Sequence, residues 1–347
     1  MIHTSLTILI PSFIAFAITI IAVRFFMGYF SESGVVATDR NKHKKPTLPT
    51  SLGLPVVFGF SSGLLVYIFG SSFNFYVPVA SLDYIFATII AVFLISLVGF
   101  LDDINVKAKP VKTTGIKDTR KGLKQWQKPL LTFVGAIPLM VINAGISSLS
   151  LPFVGIVNFG IFYPLIIIPL AIMFGANAFN LLEGFNGIAA GSGAIAVLGM
   201  LIYSFFYGNY TGILISSVLF ASLAAAFIFN KYPAKMLPGD SFTYFTGAAI
   251  IVDMILGNME SFGIIIFIPW IIEFILHLSK KFNVSDLGIL QKNGTFKAPY
   301  GKKIYSLTHV AMNVIKNPKE WEISMFVWGV EALFVMLAFL LKALAVF

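Results

Sequence analysis

Ten apolar stretches follow one another along the chain, at approximately 5–30, 52–70, 82–101, 129–145, 161–179, 188–206, 211–229, 241–257, 262–280 and 323–346. A bilayer-spanning helix needs about 20 such residues, so this succession points to an all-α integral membrane protein of about ten transmembrane helices. The connections are mostly too short to fold separately. Residues 1–347 are therefore expected to form one polytopic domain, with 281–322 as a cytoplasmic subregion between spans nine and ten. The charged fraction agrees, at 11% against roughly 25% in soluble domains. No Lys or Arg precedes the first stretch, which is longer than a signal-peptide core, and it is expected to be a retained anchor. Cysteine is absent, which excludes disulfides and thiolate metal sites.

Charge sorts the loops into two classes. Of the 24 Lys and Arg, 22 fall in the odd-numbered loops, 31–51, 102–128, 180–187, 230–240 and 280–322, while Arg24 and Lys342 lie inside spans. By the positive-inside rule these loops are expected in the cytoplasm and both termini on the other side. A net charge of +9 can signal nucleic acid, but here it is spent on one membrane face, so no nucleic-acid partner is expected.

The same loops carry residues that orientation alone does not require. Thr38-Asp39-Arg40-Asn41-Lys42 is followed by two prolines and Gly53, which predicts an ordered non-helical hook. A basic turn at the head groups remains the alternative. The third span ends at Asp102-Asp103, two carboxylates facing the negative end of their own helix dipole. Such a pair is expected to need a cation or a proton. Lysines follow at 107, 109, 112, 117, 121, 124 and 128 with Arg120, a collar suited to phosphates, and Trp126 is expected at the head-group level.

Asn177 and Asn180 share one helix face at the end of the fifth span, before Glu183, Gly184, Asn186 and Gly187. They read as a polar lining or as clamps between helices. Asp240 at the start of the eighth span reads either as its N-cap or as a metal ligand. In the last loop, Asn293-Gly294 predicts a type I′ β-hairpin. The spacing of Ile304, Leu307, Val310, Ala311, Val314 and Ile315 predicts an amphipathic helix on the bilayer surface, with His309 interfacial. Three carboxylates lie inside spans, Asp253, Glu273 and Glu331, and only Glu273 is close enough to the cytoplasmic end to join a site there.

Carboxylates and amides without clustered His or Cys suit a hard cation such as Mg²⁺, with Mn²⁺ the substitute, beside lysines that neutralise phosphates. No Walker A, Rossmann or Ser-His-Asp pattern is present. A site bordering the bilayer suggests a lipid phosphate as one substrate. A transporter or flippase is the rival class, but such proteins place polar groups near the bilayer midplane, often within repeats.

At these residues the chain resembles the polyprenyl-phosphate N-acetylhexosamine-1-phosphate transferases, over nearly its whole length. The resemblance rests on Asp39-Arg40-Asn41-Lys42, Leu48-Pro49-Thr50-Ser51-Leu52-Gly53, Gly99-Phe100-Leu101-Asp102-Asp103, the segment Asn177 to Gly187, and the segment Gly239 to Gly247. It implies transfer of a HexNAc-1-phosphate, GlcNAc first among them, from a UDP-sugar to a polyprenyl or dolichyl phosphate, with release of UMP. Location in the cell membrane with the site on the cytoplasmic face is implied too, with a homodimer left open.

Carried over by position, Asn180 and Asp240 would hold Mg²⁺, Asp102 and Asp103 would position or deprotonate the lipid phosphate, and Lys128 would bind phosphate. Thr38, Asp39, Arg40, Gly184 and Asn186 would contact uridine, with Asn41, Lys42 and Trp126 as further substrate contacts. The Tyr-Phe after Asp240 and the last loop look closer to the dolichyl branch and to archaeal members. The chain departs from the family at Thr50 and Glu183, where a glutamate and an aspartate are usual. It also lacks the histidine or His-Arg cluster of the last loop.

Overall fold

The computed structural model describes residues 2–104, 109–110, 117–118, 123–124, 126–207 and 209–347. The expected collar positions Lys107, Lys112, Arg120 and Lys121 lie outside the described residues.

Helix α1 (Ile2–Ser33) leads into a hook of two paired strands, β1 (Val36–Thr38) and β2 (Thr47–Pro49), and then into α2 (Gly53–Ser72) and α3 (Leu82–Ile104). Short antiparallel strands β3 (Lys109–Pro110) and β4 (Lys117–Asp118) follow. The stretch expected as a fourth span is broken. It becomes α4 (Gln127–Thr132), a 3₁₀ turn and α5 (Ile137–Val141), together a shorter apolar helix over 127–141 in which Pro138 removes a helical N–H. On the far side of the bundle, β5 (Ser148–Leu151) pairs with β6 (Gly155–Asn158). A π turn at Tyr163–Ile167 then enters α6 (Ile168–Asn180), followed by α7 (Ile188–Tyr207), α8 (Tyr210–Asn230) and α9 (Gly239–Leu256).

Two shorter helices, α10 (Glu260–Ile266) and α11 (Ile268–Leu278), meet at a 53° bend beside Pro269. Seven helices among the described residues are long and apolar enough to cross a membrane, or eight with the bent pair as one span. By length and apolarity alone, these account for seven or eight of the ten expected spans. Besides the broken fourth stretch, the exception is α9, whose Asp240, Ser241, Thr243, Thr246 and Asp253 dilute its apolarity. Every residue from Ser241 to Leu256 is buried, with α3, α6 and α2 packed around it, so α9 is lined by protein instead of lipid.

That central position depends on close backbone approach. A Cβ built on Gly99 of α3 would stand 2.4 Å from the carbonyl oxygen of Asp240, closer than any real contact. Gly99→Ala must therefore push α3 away from the start of α9. It is expected to cost about 1–3 kcal/mol of overpacking, read as a lower Tm in detergent with turnover falling in parallel. An unchanged Tm would contradict this packing.

The last loop folds onto the bundle. Strands β7 (Ile289–Leu290) and β8 (Phe296–Lys297) pair antiparallel, but the turn is not the expected type I′. Gln291 N–H donates to Thr295 O, Gly294 N–H donates to Gln291 O, and only Gly294 of the turn has positive φ. This is a three-residue loop with glycine in the left-handed position. The amphipathic segment is shorter than expected, α12 (Leu307–Val314), with Ser306 accepting from Thr308 N–H as its N-cap. Its Leu307, His309, Ala311 and Met312 are buried, with α12 packed against β8 and α13 (Glu320–Ala343). His309, expected at the interface, instead bonds Ser285 O and accepts from Tyr305 N–H, and burial pushes its pKa down to about 4.

Candidate active site

The ends of α3 and α6 and the starts of α4 and α9 converge at one end of the bundle. Asp103 closes the last turn of α3, where its own helix dipole disfavours it. Its carboxylate, however, accepts from the main-chain N–H of Asp240 (2.8 Å) and Ser241 (3.2 Å) and from Ser51 Oγ (2.7 Å). Helix α9 has Pro238 at its N-cap and no capping side chain of its own. Asp103 caps it from another helix, at the end where the dipole favours an anion. These three donors and the dipole of α9 offset what its own helix costs Asp103. Asp240 is not the N-cap, which is Pro238, but the second residue of the helix, within its first turn.

Freed from capping, Asp240 turns to side chains. Its Oδ1 accepts from Asn180 Nδ2 at 3.0 Å, and its Oδ2 is 2.8 Å from Lys128 Nζ. The same ammonium lies 2.7 Å from Asp102 Oδ2, so Lys128 bridges the two carboxylates. Asp102 Oδ1 accepts from Leu123 N–H. Burial works against the charge on Lys128, but Asp240, Tyr244 and Asp102 outweigh it and raise its pKa, so it stays an ammonium. Asn180 also donates to Thr243 Oγ1. Asn177 ties α6 to α4 through Thr132 Oγ1 (3.1 Å), which is the helix-clamping role.

Beside these groups opens a cavity of about 600 Å³. Thr38, Asp39, Arg40, Asn41, Asp102, Asp103, Gly184, Asn186 and Asp240 all line it. Asn180 and Lys128 stand behind its wall, bonded to Asp240. Two expected substrate contacts are not among its lining residues. Trp126 is 63% exposed at the start of α4. Lys42 spends its charge on Asp39 (3.2 Å) and Glu320, which anchors the hook to the start of α13.

The turn after α6 is clamped from both sides. Asn41 Nδ2 donates to Gly184 O at 2.6 Å, and Gly184 N–H donates to Asp286 Oδ2 at 2.6 Å. A Cβ at position 184 would run into that carboxylate, so a larger residue there must push Asp286 aside. Asn186 Nδ2 donates to Asp39 Oδ2, and its N–H donates to Glu320. Ser51, Glu183, Asp286 and Glu320 were not among the expected site residues. Ser51 sat within a motif already noted, but nothing local marks Asp286, an acid in a polar loop. Glu273, the intramembrane acid expected nearest the site, instead accepts from Leu307 N–H (2.8 Å) and pairs with His277 (3.0 Å), so it supports α12.

The cavity is strongly acidic, with Asp39, Asp102, Asp103, Glu183, Asp240 and Asp286 against Arg40. Burial raises the pKa of Asp286 to about 6 and that of Glu183 well above the usual range. An anionic ligand can enter such a wall only with added positive charge. Among the described residues no three His, Cys, Asp or Glu side chains converge as a metal cage. The hard oxygens of Asp102 and Asp240 nevertheless suit Mg²⁺, which commonly takes one or two carboxylates and leaves positions to phosphates, while Asn180 turns its amide N–H groups to Asp240 and Thr243.

Residues 85–258 match the family model described as glycosyl transferase family 4, a span that contains Asp102, Asp103, Lys128, Asn180 and Asp240. The chain is 35% identical over 341 residues, 97% of either chain, to a protein of Saccharolobus solfataricus named putative UDP-N-acetylglucosamine--dolichyl-phosphate N-acetylglucosaminephosphotransferase. A protein of the same name from Sulfolobus acidocaldarius is 31% identical over 352 residues, 100% of this chain and 99% of that one. A phospho-N-acetylmuramoyl-pentapeptide-transferase of Halalkalibacterium halodurans is 26% identical over 345 residues, 96% of this chain and 97% of that one.

Proposed function

The chain belongs to glycosyl transferase family 4, and from that premise we propose that it transfers GlcNAc-1-phosphate from UDP-GlcNAc to dolichyl phosphate at the cytoplasmic face of the membrane. The observation that carries this reading is Lys128, held between Asp102 and Asp240 at the wall of an acidic cavity where four helices end or begin.

The reaction exchanges one P–O bond for another. An oxygen of the lipid phosphate attacks the β-phosphorus of UDP-GlcNAc, the bond from that phosphorus to the bridging oxygen breaks, and UMP leaves with the bridging oxygen. Asp102 orients the lipid phosphate. Lys128 supplies positive charge to the phosphates as negative charge moves onto the departing UMP. Asp103 keeps the start of α9, and with it Asp240, in place. Asp240, with Asp102 facing it and Asn180 beside it, would hold Mg²⁺, which supplies further charge neutralisation at the pyrophosphate. Asp39, Asn41, Gly184 and Asn186 shape the half of the cavity that takes the uridine.

The test uses sealed vesicles and UDP-GlcNAc labelled at its β-phosphate, a donor that does not cross the bilayer. Label is expected to enter the organic phase only with dolichyl phosphate present and only when donor is added on the face bearing the lysine-rich loops. Label transfer from the opposite face would overturn the sidedness. No transfer from either face, in folded protein, would overturn the function.

A further inference from the structure

Resting on the transferase reading, we infer that Lys128 is a tethered stand-in for the divalent cation, holding the seat between Asp102 and Asp240 until the donor's pyrophosphate draws it away. Its ammonium lies 2.7 and 2.8 Å from one oxygen of each carboxylate. All three side chains are shielded, at 18%, 7% and 16% exposure. A dication bound by those oxygens cannot share the seat with an ammonium at hydrogen-bond distance, because like charges there repel strongly. Binding a metal to the free protein must therefore break two buried, charge-assisted hydrogen bonds, which are among the stronger kind.

The displaced ammonium also needs a new anion. Asp103 is bonded to the start of α9, Asp39 to Asn186 and Lys42, and Asp286 to Gly184, while Glu183, whose Oε2 lacks a partner among the described residues, is held towards its neutral form by burial. An incoming pyrophosphate brings several unbonded oxygens. Nucleotide thus removes the penalty for displacing Lys128, and by linkage the metal tightens the nucleotide by the same factor. Free metal binds weakly, and the loaded site forms when metal and donor arrive together. The acids meanwhile stay neutralised in the resting protein, which keeps the cavity wall from repelling itself.

The experiment measures Mn²⁺ binding to the full-length protein in detergent by electron paramagnetic resonance, without nucleotide and then with UDP-GlcNAc. Without nucleotide, Lys128→Gln is expected to bind Mn²⁺ about tenfold or more tighter than wild type. Lys128→Arg, which keeps a cation in the seat, is expected to stay near wild type. So is Lys124→Gln, which loses the same charge from the same segment.

Unchanged affinity in Lys128→Gln would overturn the inference and leave the transferase reading intact, as would equal tightening in Lys124→Gln. No Mn²⁺ binding in any variant, even with UDP-GlcNAc, would overturn the metal assignment itself. A mutation-free measurement covers the case in which Lys128→Gln does not fold. Acylation of Lys128 in wild type, followed by peptide mass spectrometry, is expected to be unmoved by Mn²⁺ alone and changed by Mn²⁺ with UDP-GlcNAc. Acceleration by Mn²⁺ alone would overturn the inference.

Discussion

Asp240→Ser is expected to leave the protein folded and to cut turnover by roughly 10²–10³-fold, the scale seen when one transition-state stabiliser is removed. The fold depends on this carboxylate less than the chemistry does, because Asp103 caps α9, Asn180 keeps Thr243 and Lys128 keeps Asp102. The chemistry does need it. Asp240 is the shared partner of Asn180 and Lys128, and in the proposed mechanism it is what joins them at the pyrophosphate. Thermal unfolding near that of wild type, alongside lost label transfer, is the expected combination. Near wild-type turnover at limiting Mg²⁺ would contradict the role given to Asp240.

Asp103→Ala is expected to fail differently, through the fold. It strands two helix-start N–H groups and the Ser51 hydroxyl, all of them bonded to this one buried carboxylate. Leaving such donors unsatisfied costs about 1–3 kcal/mol each, so a large fall in Tm should accompany inactivity. Asp102→Asn makes the contrast. It keeps the shape and the acceptor for Leu123 N–H but removes charge beside Lys128, so Tm should hold while turnover falls. Equal Tm values for Asp103→Ala and Asp102→Asn would contradict this division between a positioning and a reacting carboxylate.

The contrast shows what could be read along the chain and what could not. Apolar length is a local property, so most spans were legible. The exceptions have causes that hydropathy does not register, namely the short, irregular helix over 127–141 and the enclosure by other helices that lets α9 carry polar residues. Asp102, Asp240 and Asn180 were legible because polar groups at the ends of apolar spans are conspicuous. Their division of labour was not, since Asp103 meets the start of α9 across 137 residues of sequence. Lys42 looked free for substrate until Glu320, 278 residues on, came to rest against it. Asp286 is joined to Gly184 across 102 residues and had no motif to announce it. Proximity in space decided each of these roles.

The central claim is that the bond broken lies within the pyrophosphate. Family membership alone does not choose between that bond and the sugar–phosphate bond, and the nucleotide product does. Chromatography of the water-soluble products from UDP-GlcNAc and dolichyl phosphate is expected to show UMP, formed in step with lipid-bound label and absent from Asp240→Ser. UDP released in step with the lipid product would mean attack at the sugar carbon and would contradict the phosphotransfer assigned to Asp102, Lys128 and Asp240.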